Sequence, residues 1–157
     1  MTNLERAIKD GYAHIIGEKG KEKITYVSSD NHVENYSDPE EKVRAEFWAE
    51  LIYKYEYQVN RIKIEVTVPD RLPTDRADIV VFRDDECKRP YAVVECKKDC
   101  VTDAEFNQAI EQGVGNATWV KLRADYVVII AGGTRRVLDV TDKFGALERE
   151  QNILADL

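Results

Sequence analysis

The apolar positions along this chain change period several times, and each change marks an element. Leu4, Ile8, Tyr12, Ile15 and Ile16 recur at helical spacing and predict a first amphipathic helix that ends near Gly17 to Gly20. A short strand, ITYV at 24 to 27, follows, and the polar stretch Ser28 to Ser37 reads as a loop. Asp38-Pro39-Glu40-Glu41 then opens a long helix: Asp38 is a good N-cap, Pro39 suits the first turn, and Glu41 stands at the capping-box position. Val43, Phe47, Leu51 and Tyr55 give that helix its apolar stripe.

The period next drops to two. Ile62, Ile64, Val66 and Val68 alternate with Arg61, Lys63, Glu65 and Thr67, the pattern of a half-buried strand, and Pro69 to Thr74 make a loop. RADIVVF, residues 76 to 82, and YAVVECK, residues 91 to 97, flank the polar stretch Arg83 to Pro90, which reads as a hairpin turn. Thr102 and Glu105 cap a helix whose apolar positions are Phe106, Ala109, Ile110, Val114 and Ala117. Gly113 and Gly115 interrupt it, and close packing is one reason to place glycines there. YVVIIA, Tyr126 to Ala131, predicts a strand buried on both faces and ended by Gly132-Gly133. Arg136 to Val140 adds an edge strand, and Asp142 to Leu157 reads as a helix. The expectation is a single α/β domain. Residues 1–37 form a helical N-terminal appendage, 38–141 a core in the order α-β-β-β-α-β with a mixed sheet flanked by helices, and 142–157 a C-terminal helix leading toward a further region.

Composition narrows the class. A chain of 157 residues with 43% hydrophobic content is long enough for one buried core. No apolar run approaches the roughly 20 residues that span a bilayer, and MTNLERAIKD lacks the apolar stretch of a secretory signal, so a soluble cytoplasmic protein without a membrane partner is expected. Cys87, Cys96 and Cys100 lack paired CxxC spacing, and His14 and His32 lie far from them, which supports neither a disulfide framework nor a zinc site. A net charge of −7 argues against general nucleic-acid affinity, which relies on neutralised phosphates. Any local attraction must come from residues such as Arg61, Lys63, Arg71, Arg76, Lys97, Lys98, Arg135 and Arg136 gathered on one edge.

The candidate chemistry lies in Asp78 and Glu95-Cys96-Lys97, each at the polar end of a predicted strand. Side chains alternate along a strand, so Glu95 and Lys97 share one face and Cys96 points into the core. If the two strands are antiparallel, Asp78 joins that face only when paired positions sum to an odd number, as with residue 78 opposite residue 95; a slip of one residue without a bulge separates the carboxylates. Two carboxylates and a nearby backbone carbonyl suffice for Mg²⁺, which also relieves their mutual repulsion. Lys97 beside them is suited to orient or deprotonate an attacking water and to offset phosphate charge, the chemistry of phosphodiester hydrolysis. Alone, Asp…Glu-x-Lys recurs by chance as solvated surface residues, so the signature needs its context.

That context is supplied by PEEKVRAEF, RADIVVF, YAVVECKK, a glutamine-bearing helix and YVVIIAGG, in this order from Pro39 to Gly133. Together they resemble the N-terminal nuclease domain of type I restriction enzyme R subunits, a branch of the restriction-endonuclease-like fold with the PD-(D/E)xK motif. The resemblance implies metal ligation by Asp78, Glu95 and the Cys96 backbone carbonyl, with Lys97 as the catalytic lysine. Glu41 matches the family's helix glutamate and joins the metal set, its capping role remaining open. Gln108 matches the supporting glutamine, but the family's tyrosine four residues later is missing, since Gln112 follows Gln108 and Asn116 follows Gln112. Ala77 stands where the motif name has proline.

The implied activity is a Mg²⁺-dependent DNA endonuclease domain of a restriction-modification system, with Mn²⁺ as a substitute. DNA is the implied substrate, and further domains of a longer chain, or specificity and methylation subunits, are the implied partners. The competing expectation is a catalytically inactive domain of the same fold that binds DNA or partner subunits.

Overall fold

The computed structural model describes residues 1–99, 101–119 and 121–141 and the backbone of 147–149. The chain begins with α1, Asn3–Lys9, closed at its start by a capping box between Thr2 and Glu5. The helix stops well short of Gly17. Gly11, at φ +82°, takes the left-handed conformation, and the Gly11 and Tyr12 N–H groups bond back to the Ile8 and Ala7 carbonyls, which is a Schellman stop. Tyr12, Ile15 and Ile16 therefore extend the helical spacing in the sequence but not the helix. Ala13–Ile16 is strand β1, pairing with β2, Lys23–Tyr26, which in turn pairs with β3, His32–Asn35. The stretch expected to be a loop thus contains a strand, entered through Asp30 and Asn31, both at positive φ. The appendage is a helix with a three-stranded antiparallel sheet rather than helical alone.

Helix α2, Pro39–Tyr53, starts as expected: the Asp38 side chain accepts the Glu40 N–H at 2.9 Å and Pro39 occupies the first turn. Glu41 does not complete a capping box, because its carboxylate turns inward. Phe47 and Leu51 are buried with Ala45, Trp48 and Ala49, while Tyr55 lies beyond the helix end.

The main sheet has the order β4-β5-β6-β7-β8-β9, comprising Ile62–Thr67, Arg76–Phe82, Pro90–Lys97, Tyr126–Ala131, Thr134–Asp139 and Leu147–Arg149. All neighbours are antiparallel except β6 and β7, which α3, Asp103–Thr118, connects as parallel strands. From Asp38 the order helix, three strands, helix, strand matches the expectation and yields a mixed α/β architecture. The C-terminal expectation fails at Leu147–Arg149, which pair with Val137 to Asp139 of β8; the open hydrogen-bonding edge of β8 outweighs the helical propensity of that segment. The rest of 142–157 lies outside the described residues.

The sheet separates two cores. Against α2 pack Ile79, Val81, Val94, Cys96, Val128 and Ile130, joined by Ile24 and Tyr26 of the N-terminal sheet. Against α3 pack Val80, Val93, Val127 and Ile129, so β7 is buried on both faces as its continuous apolar run predicts.

One irregularity positions the site. Ile62 and Ile64 belong to the α2 core, but Val66 and Val68 belong to the α3 core; likewise Ile79 faces α2 and Ala77 faces α3. The ladder passes from Ile64–Ile79 to Val66–Ala77 with Glu65 left-handed at φ +54°. Both strands turn over there, and Asp78 sits at the turnover.

Candidate active site

The β5–β6 register pairs Ile79 with Val94, Val80 with Val93 and Val81 with Ala92, which sets Asp78 opposite Glu95. The paired positions sum to an odd number, as the sequence argument requires. The bulge in this hairpin lies between Val81 and Phe82, at the far end, and leaves the carboxylates undisturbed. Because the strands turn over at Asp78, however, its carboxylate swings toward the α2 side. Oδ2 accepts the Cys96 backbone N–H at 2.7 Å, and Oδ1 lies 3.8 Å from Arg44 Nη1.

Glu95 faces the other way, into the packing between β6 and α3. It is 1% exposed; Oε1 has the Asn116 Nδ2 at 3.5 Å, and Oε2 is buried without a hydrogen-bond partner. A buried carboxylate with an unsatisfied oxygen is costly when charged. Burial, then the charge of Asp78, accordingly push the Glu95 carboxyl well above the usual range. Burial also raises Asp78 to about 6, against the opposing effects of the Cys96 N–H and Arg44. Cys96 is fully buried in the α2 core, as the alternation predicts. Lys97 reaches back toward the start of α2, with Nζ 4.0 Å from Glu40, and its positive charge bears on both carboxylates.

Two other predicted residues are differently engaged. Glu41 is buried, and both its oxygens are taken: Oε2 accepts from Tyr26 Oη at 2.6 Å and from Arg44 Nε at 2.9 Å, and Oε1 accepts from Arg44 Nη2. Arg44 also binds Glu65 at 2.5 Å. Burial opposes the Arg44 charge, but the bonds to Glu41 and Glu65 hold it above even the usual arginine range. A cavity of about 120 Å³ lies over this cluster, lined by Glu34, Glu40, Glu41, Arg44, Glu65 and Asp78 among others. Gln108 is exposed on α3. One turn further on, Gln112 Nε2 reaches Asp75 at 3.3 Å, and Asn116 is the residue that meets Glu95. Sequence reasoning missed Arg44 and Asp75 as members of this neighbourhood, and it weighed Gln112 and Asn116 only as an alternative placement of the supporting glutamine before settling on Gln108. The two glycines around Val114 are the signal that could have found the last pair. A Cβ at Gly113 would lie 2.6 Å from Val127 Cγ1 and 3.3 Å from Glu95 Cγ, so α3 presses directly onto the strand that carries Glu95.

The basic residues do not form one open edge. Arg61 pairs with Asp85, Lys63 donates to the Ser28 carbonyl, Arg71 binds Asn116 and Arg135 pairs with Glu50. Among the described residues no three His, Cys, Asp or Glu side chains converge as a ready-made metal cage. Asp78 and Glu95 stand opposite one another in the ladder, but their carboxylates leave the sheet on different sides, Asp78 toward Arg44 and Glu95 toward Asn116, so the shared face expected from the alternation is not kept.

Residues 39–153 match the family model for the type I restriction enzyme R protein N terminus. The chain belongs to that family. The matched segment contains α2, α3, the main sheet and Glu41, Asp78, Glu95, Cys96, Lys97 and Gln108, and membership points to a restriction-modification role. Comparison with curated proteins found no matching sequence. No helix among the described residues is long and apolar enough to cross a membrane.

Proposed function

We propose that this chain is a Mg²⁺-dependent DNA endonuclease domain of a restriction-modification enzyme, hydrolysing phosphodiester bonds at Asp78, Glu95 and Lys97. The observation that carries the reading is Glu95, buried on the strand beside Asp78 with one carboxylate oxygen that has no hydrogen-bond partner. The donor set fits Mg²⁺, which needs only one or two protein carboxylates besides water and phosphate. Asp78 and Glu95 would hold it, with the Cys96 backbone carbonyl as a third donor. When bound, the cation supplies Lewis acidity at the phosphate and lowers the pKa of coordinated water.

The chain's own residues do the rest. Cys96 N–H fixes the Asp78 carboxylate by a hydrogen bond to one oxygen and leaves the other toward Arg44 and the cavity. Burial of Glu95 keeps bulk water from its carboxylate, so that its charge, once a cation compensates it, acts at greater strength than in water. Lys97, tethered only loosely at 4.0 Å to Glu40, is free to move to the scissile phosphate, to orient water and to offset developing charge. The net charge of −7 and the pairing of Arg61 with Asp85 and of Arg135 with Glu50 fit a domain that receives its DNA from other parts of an assembly rather than capturing it alone. A longer chain, or specificity and methylation subunits, would supply that grip.

The test is cleavage by the full restriction assembly carrying Asp78→Ala, Glu95→Ala or Lys97→Ala, with folding checked by circular dichroism. Loss of cleavage in all three with folding retained is expected, and cleavage retained by all three sinks the assignment. A second reading, a non-catalytic DNA- or subunit-binding domain, is favoured by one feature: Arg44, 3.8 Å from Asp78, already supplies positive charge to the site. Calorimetry separates the two readings. Mg²⁺ or Mn²⁺ binding that Glu95→Gln abolishes supports the nuclease; no binding, with or without DNA, supports the second.

A further inference from the structure

We infer that Asn116, oriented by Arg71, is a positioning residue for Glu95, so that the loop between β4 and β5 sets the geometry of the metal-binding carboxylate. The inference rests on the nuclease reading for its use of Glu95, but its geometric argument stands on four contacts. Asn116 is fully buried on the sheet-facing side of α3, where an amide must find partners for both of its ends. Its two ends are chemically different, the oxygen accepting and the nitrogen donating. Arg71 donates only, and its Nη1 bonds the Asn116 Oδ1. The amide therefore cannot be flipped, and its NH₂ group must face Glu95 Oε1, 3.5 Å away. Glu95 receives this donor on one oxygen, while the other has no partner. The asymmetry turns Oε2, rather than Oε1, into the free donor atom of the site.

The sequence Gln112-Gly113-Val114-Gly115-Asn116 makes room for this relay with two separate gaps. Gly113 lets α3 sit against Glu95 and Val127, which brings the next turn within reach of the carboxylate. Gly115 leaves space for the guanidinium: a Cβ there would lie 2.7 Å from Arg71 Nη2 and 3.2 Å from Nη1. Arg71 is further held by Asp75 at 3.9 Å and lies 6.0 Å over the Trp119 ring, and Trp119 Nε1 donates to the Pro69 carbonyl at 2.7 Å. The loop is thus clamped at its start, and the arginine it carries is aimed along α3 at the amide.

Groups that orient a metal-ligating side chain are worth about tenfold to a hundredfold in metal affinity. The experiment compares the intact chain with Asn116→Leu, Arg71→Gln and Arg71→Lys, using Mn²⁺ alone as the probe. Mn²⁺ affinity is read by paramagnetic resonance, stability by urea denaturation, and the Asn116 side-chain amide by nitrogen-15 NMR without metal. The expected result is Mn²⁺ binding about tenfold to a hundredfold weaker in Asn116→Leu and Arg71→Gln, with partial recovery in Arg71→Lys, which keeps a donor. If Asn116→Leu fails to fold, Arg71→Gln, at a partly exposed loop residue, carries the test. Unchanged Mn²⁺ affinity in the variants overturns the inference. If the unaltered chain binds no Mn²⁺, the nuclease reading falls and the metal-free spectrum decides. Asn116 amide protons that exchange slowly, shift on Glu95→Gln and exchange faster in Arg71→Gln support the relay. Amide protons that exchange like those of an exposed asparagine overturn it.

Discussion

Replacing Asp78 with asparagine should stabilise the metal-free protein at neutral pH while removing the cation binding proposed above. The Asp78 carboxyl titrates at about 6 in the folded chain against an ordinary 3.8, chiefly because burial disfavours its charge. Below pH 3.8 it is protonated in folded and unfolded chains alike and contributes nothing. As pH rises from 3.8 to about 6, the folded chain holds the proton that the unfolded chain has lost, so stability falls with rising pH. Above that window the whole penalty remains, about 3 kcal/mol for a gap of this size. Solvent reaching the partly exposed carboxylate reduces the expected gain to about 1 to 3 kcal/mol. Asparagine keeps an oxygen to accept the Cys96 N–H, so the substitution removes the charge without orphaning the backbone donor. Urea unfolding at intervals from pH 4 to pH 8 should show Asp78→Asn more stable than the unaltered chain at pH 8, with the difference closing toward pH 4. Adding Mg²⁺ should stabilise the unaltered chain by mass action and leave the variant unmoved. A variant that is less stable at pH 8, or whose profile runs parallel to that of the unaltered chain, would refute the argument that Asp78 is held against its own charge.

Three further outcomes follow from the same geometry. Arg44→Met leaves the Glu41 carboxylate buried with only the Tyr26 hydroxyl, and should cost about 3 to 5 kcal/mol in urea unfolding, part of which Glu41→Gln in the same chain restores. Gly113→Ala drives a methyl group to 2.6 Å from Val127 Cγ1, so α3 must move off the sheet; a loss of about 1 to 3 kcal/mol is expected, read as a lowered thermal midpoint. Gln108→Ala removes an exposed side chain and should leave stability within about 0.5 kcal/mol and Mn²⁺ affinity unchanged by calorimetry, whereas a large loss of binding would restore Gln108 to the site.

Much of this was legible because periodicity and parity are properties of the sequence. The period-two and period-3.6 runs mark α2, β4, β5, β6, the start of α3 and the buried strand β7, but not the short 3-10 turn Val59–Arg61. Parity then required paired positions of β5 and β6 to sum to an odd number, and the ladder has such a register, although the Asp78 and Glu95 side chains leave it on different sides. What stayed hidden depends on backbone conformations that leave no pattern. Ile62, Ile64, Val66 and Val68 keep period two in the sequence while the strand turns over between them, because a left-handed Glu65 looks like any other glutamate. The turnover is what carries the Asp78 carboxylate toward Arg44. The helix end at Lys9 was obscured in the opposite way: Asp10-Gly11 did signal a stop, but three apolar residues beyond it continued the spacing. Asn116 was hidden because a buried amide at the end of a glycine-containing turn resembles a poor helix position until its two partners, one from β6 and one from a loop, come together.

The family match begins at residue 39, yet the support of the site does not. Tyr26, fully buried in β2, donates to Glu41 and packs edge-on against Trp48 of α2 at 5.1 Å between ring centres. Glu34 of β3 lies 3.7 Å from Arg44, and the Ser29 hydroxyl accepts the Ile64 N–H at 2.8 Å, one residue before the left-handed Glu65. Arg44 is therefore oriented by carboxylates from β3, α2 and β4 together, and only as the sum of these does it stand 3.8 Å from Asp78. Its position controls how much of the Asp78 charge is already compensated. More compensation lowers the Asp78 pKa and weakens the demand for a cation; less raises both. The N-terminal sheet thus acts on the site through one guanidinium, and the charge balance at Asp78 is set jointly by residues inside and outside the matched segment.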